Sequence, residues 1–304
     1  MPMAGEKGRG RWLVIAVPYL WLLALFLAPF LIVFKISLSQ DVVAQPPYEP
    51  QLDLSQGWSG FVDFVSRLSF SNYAYVLDFS NEFIQAYGSS LVIASISTIL
   101  LLLVGYPIAY GMARAPRSLQ PTLLMLVILP FWTSFLIRVY AWIGILSPEG
   151  LLNQGLMALG VINEPLEILN TNLAVYIGIV YSYLPFMVLP LYSALEKLDL
   201  TLLEAAADLG CPPTKAFWKI TFPLSLPGVA AGALLCFIPA VGEFVIPDLL
   251  GGSDTMMIGK SLWTEFTVNR SWSVSSAVAV LLLVLVVPIV IYQNIQQREL
   301  EAGR

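Results

Sequence analysis

Histidine is missing from all 304 residues, and charged side chains make up only 12% of them. The first absence removes the commonest general base and a frequent metal ligand. The second is far from the balance of a soluble domain. Cysteine occurs only as Cys211, in a polar stretch, and Cys236, inside an apolar run. Those two surroundings keep the thiols too far apart for a disulfide. No GxxxxGKS or GxxxxGKT phosphate loop is present, so any ATP used must sit on another chain.

What the chain has instead is apolar surface, 58% of its residues. A bilayer core of about 30 Å needs about 20 apolar residues to cross it. Six runs qualify: 12–34, 87–113, 121–146, 172–195, 224–247 and 273–292. Without water each run must satisfy its own backbone, so the expected fold is all-α, a polytopic membrane protein with six transmembrane helices. The first run is too long for a signal peptide and no small-residue cleavage site follows, so it reads as a retained helix. The transmembrane domain then covers 12–292, between short termini at 1–11 and 293–304. Every run holds proline, from Pro18 and Pro29 to Pro288. Membrane helices tolerate proline, yet kinks throughout favour a protein that changes shape.

Lysine and arginine set the orientation. Ten fall on one side: Lys7, Arg9, Arg11, Arg114, Arg117, Lys197, Lys215, Lys219, Arg298 and Arg304. Four fall on the other: Lys35, Arg67, Lys260 and Arg270. The first side should be cytoplasmic, with both termini and the loop 196–223. The outer side carries twelve acids against its four bases, Asp53 among them. A negative mouth concentrates cations and repels anions; the alternative is a by-product of the charge bias that orients the helices. The outer segment 35–86 is rich in Trp58, Phe61, Phe64, Phe70, Tyr73 and Tyr75 and broken at Pro46-Pro47 and Gln56-Gly57. That composition predicts a small packed cap with short helices, and a further short helix is predicted at 151–159, ended by Gly160.

Arg138 and Glu243 are the two ionisable residues deep in predicted spans. A charge there costs about 2.5–3.5 kcal/mol on insertion scales, which makes each a functional candidate. Counted at 1.5 Å per residue, both lie roughly 27 Å from the cytoplasmic ends. Equal depth allows a structural Arg138–Glu243 ion pair. The other reading is a lone Glu243 facing an ammonium group, with Asp248 holding a second amine nearer the surface. Phe131, Trp132, Tyr140, Trp142, Tyr181 and Tyr183 cluster at this level. They suit an interfacial belt or a cation–π path, and Trp132, Tyr140 and Tyr183 are placed on the path.

In the loop, Thr201 and Glu204 have capping-box spacing, and Leu202, Leu203, Ala206 and Leu209 form one helical stripe. Gly210 should end this helix in the left-handed conformation before Pro212-Pro213. Glu204-Ala205-Ala206, three residues, Gly210, nine residues, Ile220, two residues and Pro223 resemble the EAA loop of ABC-importer permeases. Phe222 stands where that family usually has leucine. The resemblance implies a coupling helix in which Glu204, Ala205, Ala206 and Gly210 transmit motion from a cytoplasmic ATPase.

The stretches 129–146, 172–192 and 237–252, with the first helix and its FLIVFKISL ending, resemble the putrescine/spermidine-type polyamine importers. The likeness is nearest the first permease subunit of the putrescine system. It implies a type I ABC importer permease fold in a bacterial inner membrane, with no catalytic or metal site in this chain. It also implies a second homologous permease, two copies of the ATPase holding ATP and magnesium, and a periplasmic polyamine-binding protein. No feature points to nucleic acid. An ABC permease for another small solute such as an amino acid, or an ion-coupled carrier or channel, remain the alternatives.

Overall fold

A computed structural model describes residues 7–51, 55 and 57–302, without the side chains of 7–13, 293, 294 and 296–302. Lys7, Arg9, Arg11, Asp53, Arg298 and Arg304, counted above, and the break at Gln56 therefore lie outside the described residues or side chains. The chain packs as two compact units: the residues up to Asn81 with Leu262–Val284, and Glu82–Ser261 with the residues from Leu285 onward.

In the first unit, α1 (Lys7–Leu22) runs through a π turn at Leu23–Leu27 into α2 (Ala28–Ser37). Val14–Ser37 is long and apolar enough to cross a bilayer, and most of its side chains are exposed, as they must be against lipid. Its end is tied to a small cap. Asn72 Nδ2 donates to the carbonyls of Ser37 at 2.8 Å and Ser39 at 2.7 Å, and the Ser37 and Tyr73 hydroxyls lie 2.6 Å apart. Burial pushes the Tyr73 phenol above its usual range, against the Ser37 hydrogen bond, which pulls it down. The cap holds α3 (Gly57–Ser66), α4 (Ser71–Val76) and an antiparallel pair, β1 (Gln40–Asp41) and β2 (Tyr48–Glu49), with Gln40 opposite Glu49. Lys35 Nζ lies 4.7 Å above the Tyr48 ring. The Asp41 carboxylate accepts from the Ser271 hydroxyl and the Ser273 N–H, so it caps the last helix from far along the chain.

The second unit is built on three packed helices: α5 (Glu82–Arg114), α9 (Asn172–Glu196) and α12 (Phe222–Val241). Their common core is Leu101, Tyr106, Met112, Met187, Val188, Leu191 and Cys236, all buried. Beside it the Tyr106 and Ser225 hydroxyls pair at 2.9 Å. Small residues let the backbones close, because helices in lipid associate by packing rather than by exclusion of water. At Gly228 an added Cβ would stand 2.6 Å from the Ala194 Cβ and 2.9 Å from the Pro190 carbonyl oxygen.

The remaining elements depart from six uninterrupted rods. The run 121–146 reads as one span in the sequence, but it is broken. α6 (Gln120–Ile128) tightens into a 3₁₀ turn at Leu129–Trp132, Thr133 and Ser134 are extended, and α7 (Phe135–Leu146) begins afresh. A short α8 (Leu151–Ala158) follows, closed by Gly160 at φ 68°. At the far end of α12 the backbone breaks again at Gly242–Phe244 before α13 (Val245–Leu250). α14 (Ile258–Thr267) and α15 (Trp272–Ala302) complete the chain. Among the described residues, six helical stretches are long and apolar enough to cross a membrane.

Replacing Gly228 by valine should destabilise the protein by about 1–3 kcal/mol, since both opposing groups are backbone or directly attached to it. Scanning fluorimetry in detergent reads this as a lower melting temperature. Gly111→Ala, where an added Cβ meets nothing within 4 Å, is the neutral control.

Candidate functional site

Two features carry the polar chemistry of the second unit. The first is α10 (Thr201–Asp208). Capping-box spacing predicts Thr201 as its N-cap, but the helix starts at Thr201 itself and the Asp199 carboxylate accepts from the Thr201 N–H at 3.0 Å. Aspartate two residues earlier is the better cap and takes the role. The far end follows the sequence. Gly210 has φ 74°, its N–H donates to Ala207 O at 2.8 Å, and the Cys211 N–H donates to Ala206 O at 2.9 Å. This is a Schellman cap, which needs a left-handed residue at that point.

Only Ala206 of the predicted apolar stripe is buried. Leu202 and Leu209 face outward with Glu204 and Ala205, Leu209 at 88% exposure. Pro213 does more than stop α10. It is the first residue of α11 (Pro213–Ala216), which runs through a π turn at Phe217–Thr221 into α12 as one continuous helix, Pro213–Val241. Proline suits that first position because its missing N–H would be unpaired there anyway.

The second feature is a cleft of about 460 Å³ where both broken spans meet α9. Glu243, in the break between α12 and α13, is 7% exposed. One carboxylate oxygen accepts from the Tyr183 hydroxyl at 2.5 Å, and the other from the N–H groups of Val245 at 3.0 Å and Ile246 at 3.4 Å. The side chain thus caps α13. Arg138, in the first turns of α7, is 9% exposed. Its guanidinium carbon stands 5.2 Å from the Phe131 ring centre and 5.8 Å from that of Phe135. Its Nε and Nη1 are enclosed and have no hydrogen-bond partner, and the Ser182 Oγ in the same cleft is likewise unpartnered.

The sequence-based residues separate on this geometry. Arg138, Tyr183 and Glu243 come together in the cleft. The direct Arg138–Glu243 ion pair does not form, because Tyr183 and two backbone amides occupy the carboxylate. Trp132 (72% exposed) and Tyr140 (58% exposed) face away from the cleft. Asp248 lies on α13, half exposed, with one oxygen 4.0 Å from Lys260 Nζ. Phe135, Ser182 and Phe186 line the cleft and carry no sequence expectation. The phenyl rings of Phe131 and Phe186 meet edge to face, centres 5.0 Å apart. Phe186 was detectable as the i+3 neighbour of Tyr183 on α9. Phe135 was hidden by the break, which resets the helical phase after Ser134.

A carboxylate beside aromatic faces suits a cation, and an unpaired guanidinium suits an anion. The cleft holds one of each.

Residues 104–301 match the family described as the binding-protein-dependent transport system inner membrane component. The chain belongs to that family. Within it, this inner-membrane component is 40% identical over 273 residues to the spermidine/putrescine transport system permease protein PotB of Haemophilus influenzae, covering 90% of this chain and 89% of that one. It is 43% identical over 232 residues to the protein of the same name from Escherichia coli K12, covering 76% and 83%. In fold it is similar to a chain of a bacterial alginate ABC transporter crystallised with an alginate pentasaccharide-bound periplasmic protein (TM-score 0.69, 16% identity, 96% of each chain). A chain of the inward-facing MetNI methionine ABC transporter also aligns (TM-score 0.52, 19% identity, 71% of this chain and 94% of that one). The fold is therefore that of ABC importer permeases, with six transmembrane helices.

Because Gly210 sits at positive φ with open space around it, a β-branched residue meets backbone strain of about 1–2 kcal/mol and no clash. Gly210→Val should leave the amount of protein in the membrane near normal, read by immunoblot, and cut transport several-fold by misplacing α10.

Proposed function

We propose that this chain is one transmembrane subunit of an ATP-driven importer that takes putrescine or spermidine from a periplasmic binding protein and carries it across the bacterial inner membrane. The carrying observation is the 40% identity, spread over nine-tenths of both chains, to a permease named for spermidine and putrescine transport. The cleft supports it, since Glu243 offers a carboxylate among the rings of Phe131, Phe135, Tyr183 and Phe186. A charge within a membrane span that is retained despite its insertion penalty marks a substrate path by default.

The importer would hold this chain, a second homologous permease and two copies of a cytoplasmic ATPase that bind ATP and magnesium. Charge asymmetry supports cytoplasmic termini and a cytoplasmic α10. There the outward-facing Leu202, Glu204, Ala205 and Leu209 would dock on the ATPase, and the Schellman cap would hold the docking helix at a fixed angle to α11. ATP-driven closure of the ATPase dimer would move α10, and the continuous helix Pro213–Val241 would carry that motion to the break at Glu243.

One observation favours a second cargo class. Arg138 and Glu243 line the same cleft without pairing with each other, which also suits an amino acid with its carboxylate toward Arg138 and its ammonium toward Glu243.

Uptake of labelled putrescine and spermidine by cells lacking the chain, complemented with wild type or Glu243→Gln, separates the two. The polyamine reading predicts ATP-dependent uptake by wild type and at least about tenfold lower kcat/KM with Glu243→Gln, about 1.4 kcal/mol of lost interaction. Competition by unlabelled amino acids at equal concentration should be absent. Polyamine uptake that is unchanged without the chain, in cells with no redundant system, would sink the assignment.

A further inference from the structure

Arg138 is a buried charge two of whose nitrogens have no hydrogen-bond partner. A buried guanidinium is ordinarily hydrogen-bonded or paired, because leaving it bare forfeits hydration without return. Here Nε and Nη1 are closed off by the protein's own atoms and touch no acceptor. No other chain can reach those two nitrogens in this arrangement. Among the residues lining the cleft Glu243 is the sole acid, and its oxygens are turned to Tyr183 and the start of α13. If Arg138 served only to pack Phe131 and Phe135 together, an unbranched apolar residue would do so without a charge to insert in the membrane. The positive charge itself therefore has a use.

We propose that Arg138 is a specificity-determining residue that drives release: its fixed positive charge shares the cleft with Glu243 and weakens that carboxylate's hold on a cargo ammonium. The inference rests on the reading that the cargo is a polyamine. A transported ion must bind well enough to enter and weakly enough to leave. Without a positive charge beside it, Glu243 in a low-dielectric cleft would hold an ammonium more tightly, and a charge of the cargo's sign in the same cleft shifts a dissociation constant by about tenfold. Guanidinium suits this task because it stays charged at physiological pH and cannot escape by losing a proton. The effect grows with cargo charge, so triply charged spermidine should feel it more than doubly charged putrescine.

The test is saturation kinetics of uptake in cells carrying the whole transporter, with membrane levels normalised by immunoblot. Arg138→Gln should lower KM for spermidine at least threefold and lower kcat with it, since release slows, with a smaller shift for putrescine. Arg138→Met, which keeps an unbranched stem on both rings, should do the same and stands in if the glutamine variant accumulates poorly. Arg138→Lys, which keeps the charge, should remain near wild type. A purely structural arginine predicts the opposite sign, with KM unchanged or raised and lysine no better than methionine, and that result overturns the proposal. A raised KM in the neutral variants together with competition by amino acids would assign Arg138 to a cargo carboxylate instead. Absence of polyamine uptake by wild type would overturn the cargo reading and this inference together, whereas wild-type uptake with unshifted KM overturns this inference alone.

Discussion

Inside a bilayer a backbone amide has no water to turn to, and that constraint organises the second unit. Helices satisfy it along their length, so a break is tolerated only where the freed groups find partners or line a cavity. The chain breaks twice within apolar runs, at Thr133–Ser134 and at Gly242–Phe244, and both breaks border the same cleft. At the first, the Thr133 N–H and hydroxyl both donate to the Pro130 carbonyl, at 3.3 and 2.8 Å. At the second, the Glu243 carboxylate accepts the Val245 and Ile246 amides. Glu243 is thus a structural cap and a buried charge at once. Tyr183 and the two amides hold both of its oxygens in place. A cation entering the cleft meets a carboxylate that is already desolvated and already positioned.

The same constraint gives the unit a mechanical axis. A helix of 29 residues, Pro213–Val241, is about 43 Å long and joins the α10 region to the Glu243 break, with a π turn at Phe217–Thr221 and with Pro227 and Pro239 along it. Tyr106 packs against Phe217 and Phe222 at that turn, with ring centres 5.6 and 5.8 Å away, which holds it to α5. Under the proposed function, displacement at one end has one compact route to the other. The exposed apolar residues of α10 then have a purpose that an isolated loop helix would lack.

Hydropathy made the helical class and the number of spans legible, because apolar length and backbone satisfaction permit little else. Gly210 was legible for a local reason, since its left-handed conformation belongs to a cap closed within Ala206–Cys211. Hydropathy is blind to backbone direction, however, and for that reason 121–146 reads as one rod although Pro130 and the Thr133-Ser134 pair turn the chain. The turn brings Phe131 to the cleft, and Trp132, placed on the path from the sequence, does not line it. Equal depth predicted that Arg138 and Glu243 share a level, and they share a cleft. Whether they pair depends on competing donors, and Tyr183 with the α13 amides could not be counted before the fold brought them together. Asp248 was placed beside a cargo amine on sequence distance alone; one helical turn into α13 it leaves the cleft and faces Lys260.

The most direct measurement is a structure of the assembled transporter, determined by electron cryomicroscopy with spermidine present and turnover arrested. An amine nitrogen is expected within hydrogen-bonding distance of the Glu243 carboxylate, framed by Phe131 and Phe186, with the Tyr183 hydroxyl shared or displaced. Spermidine bound elsewhere in the membrane region, with Glu243 still closed onto Tyr183 and the α13 amides, would contradict it.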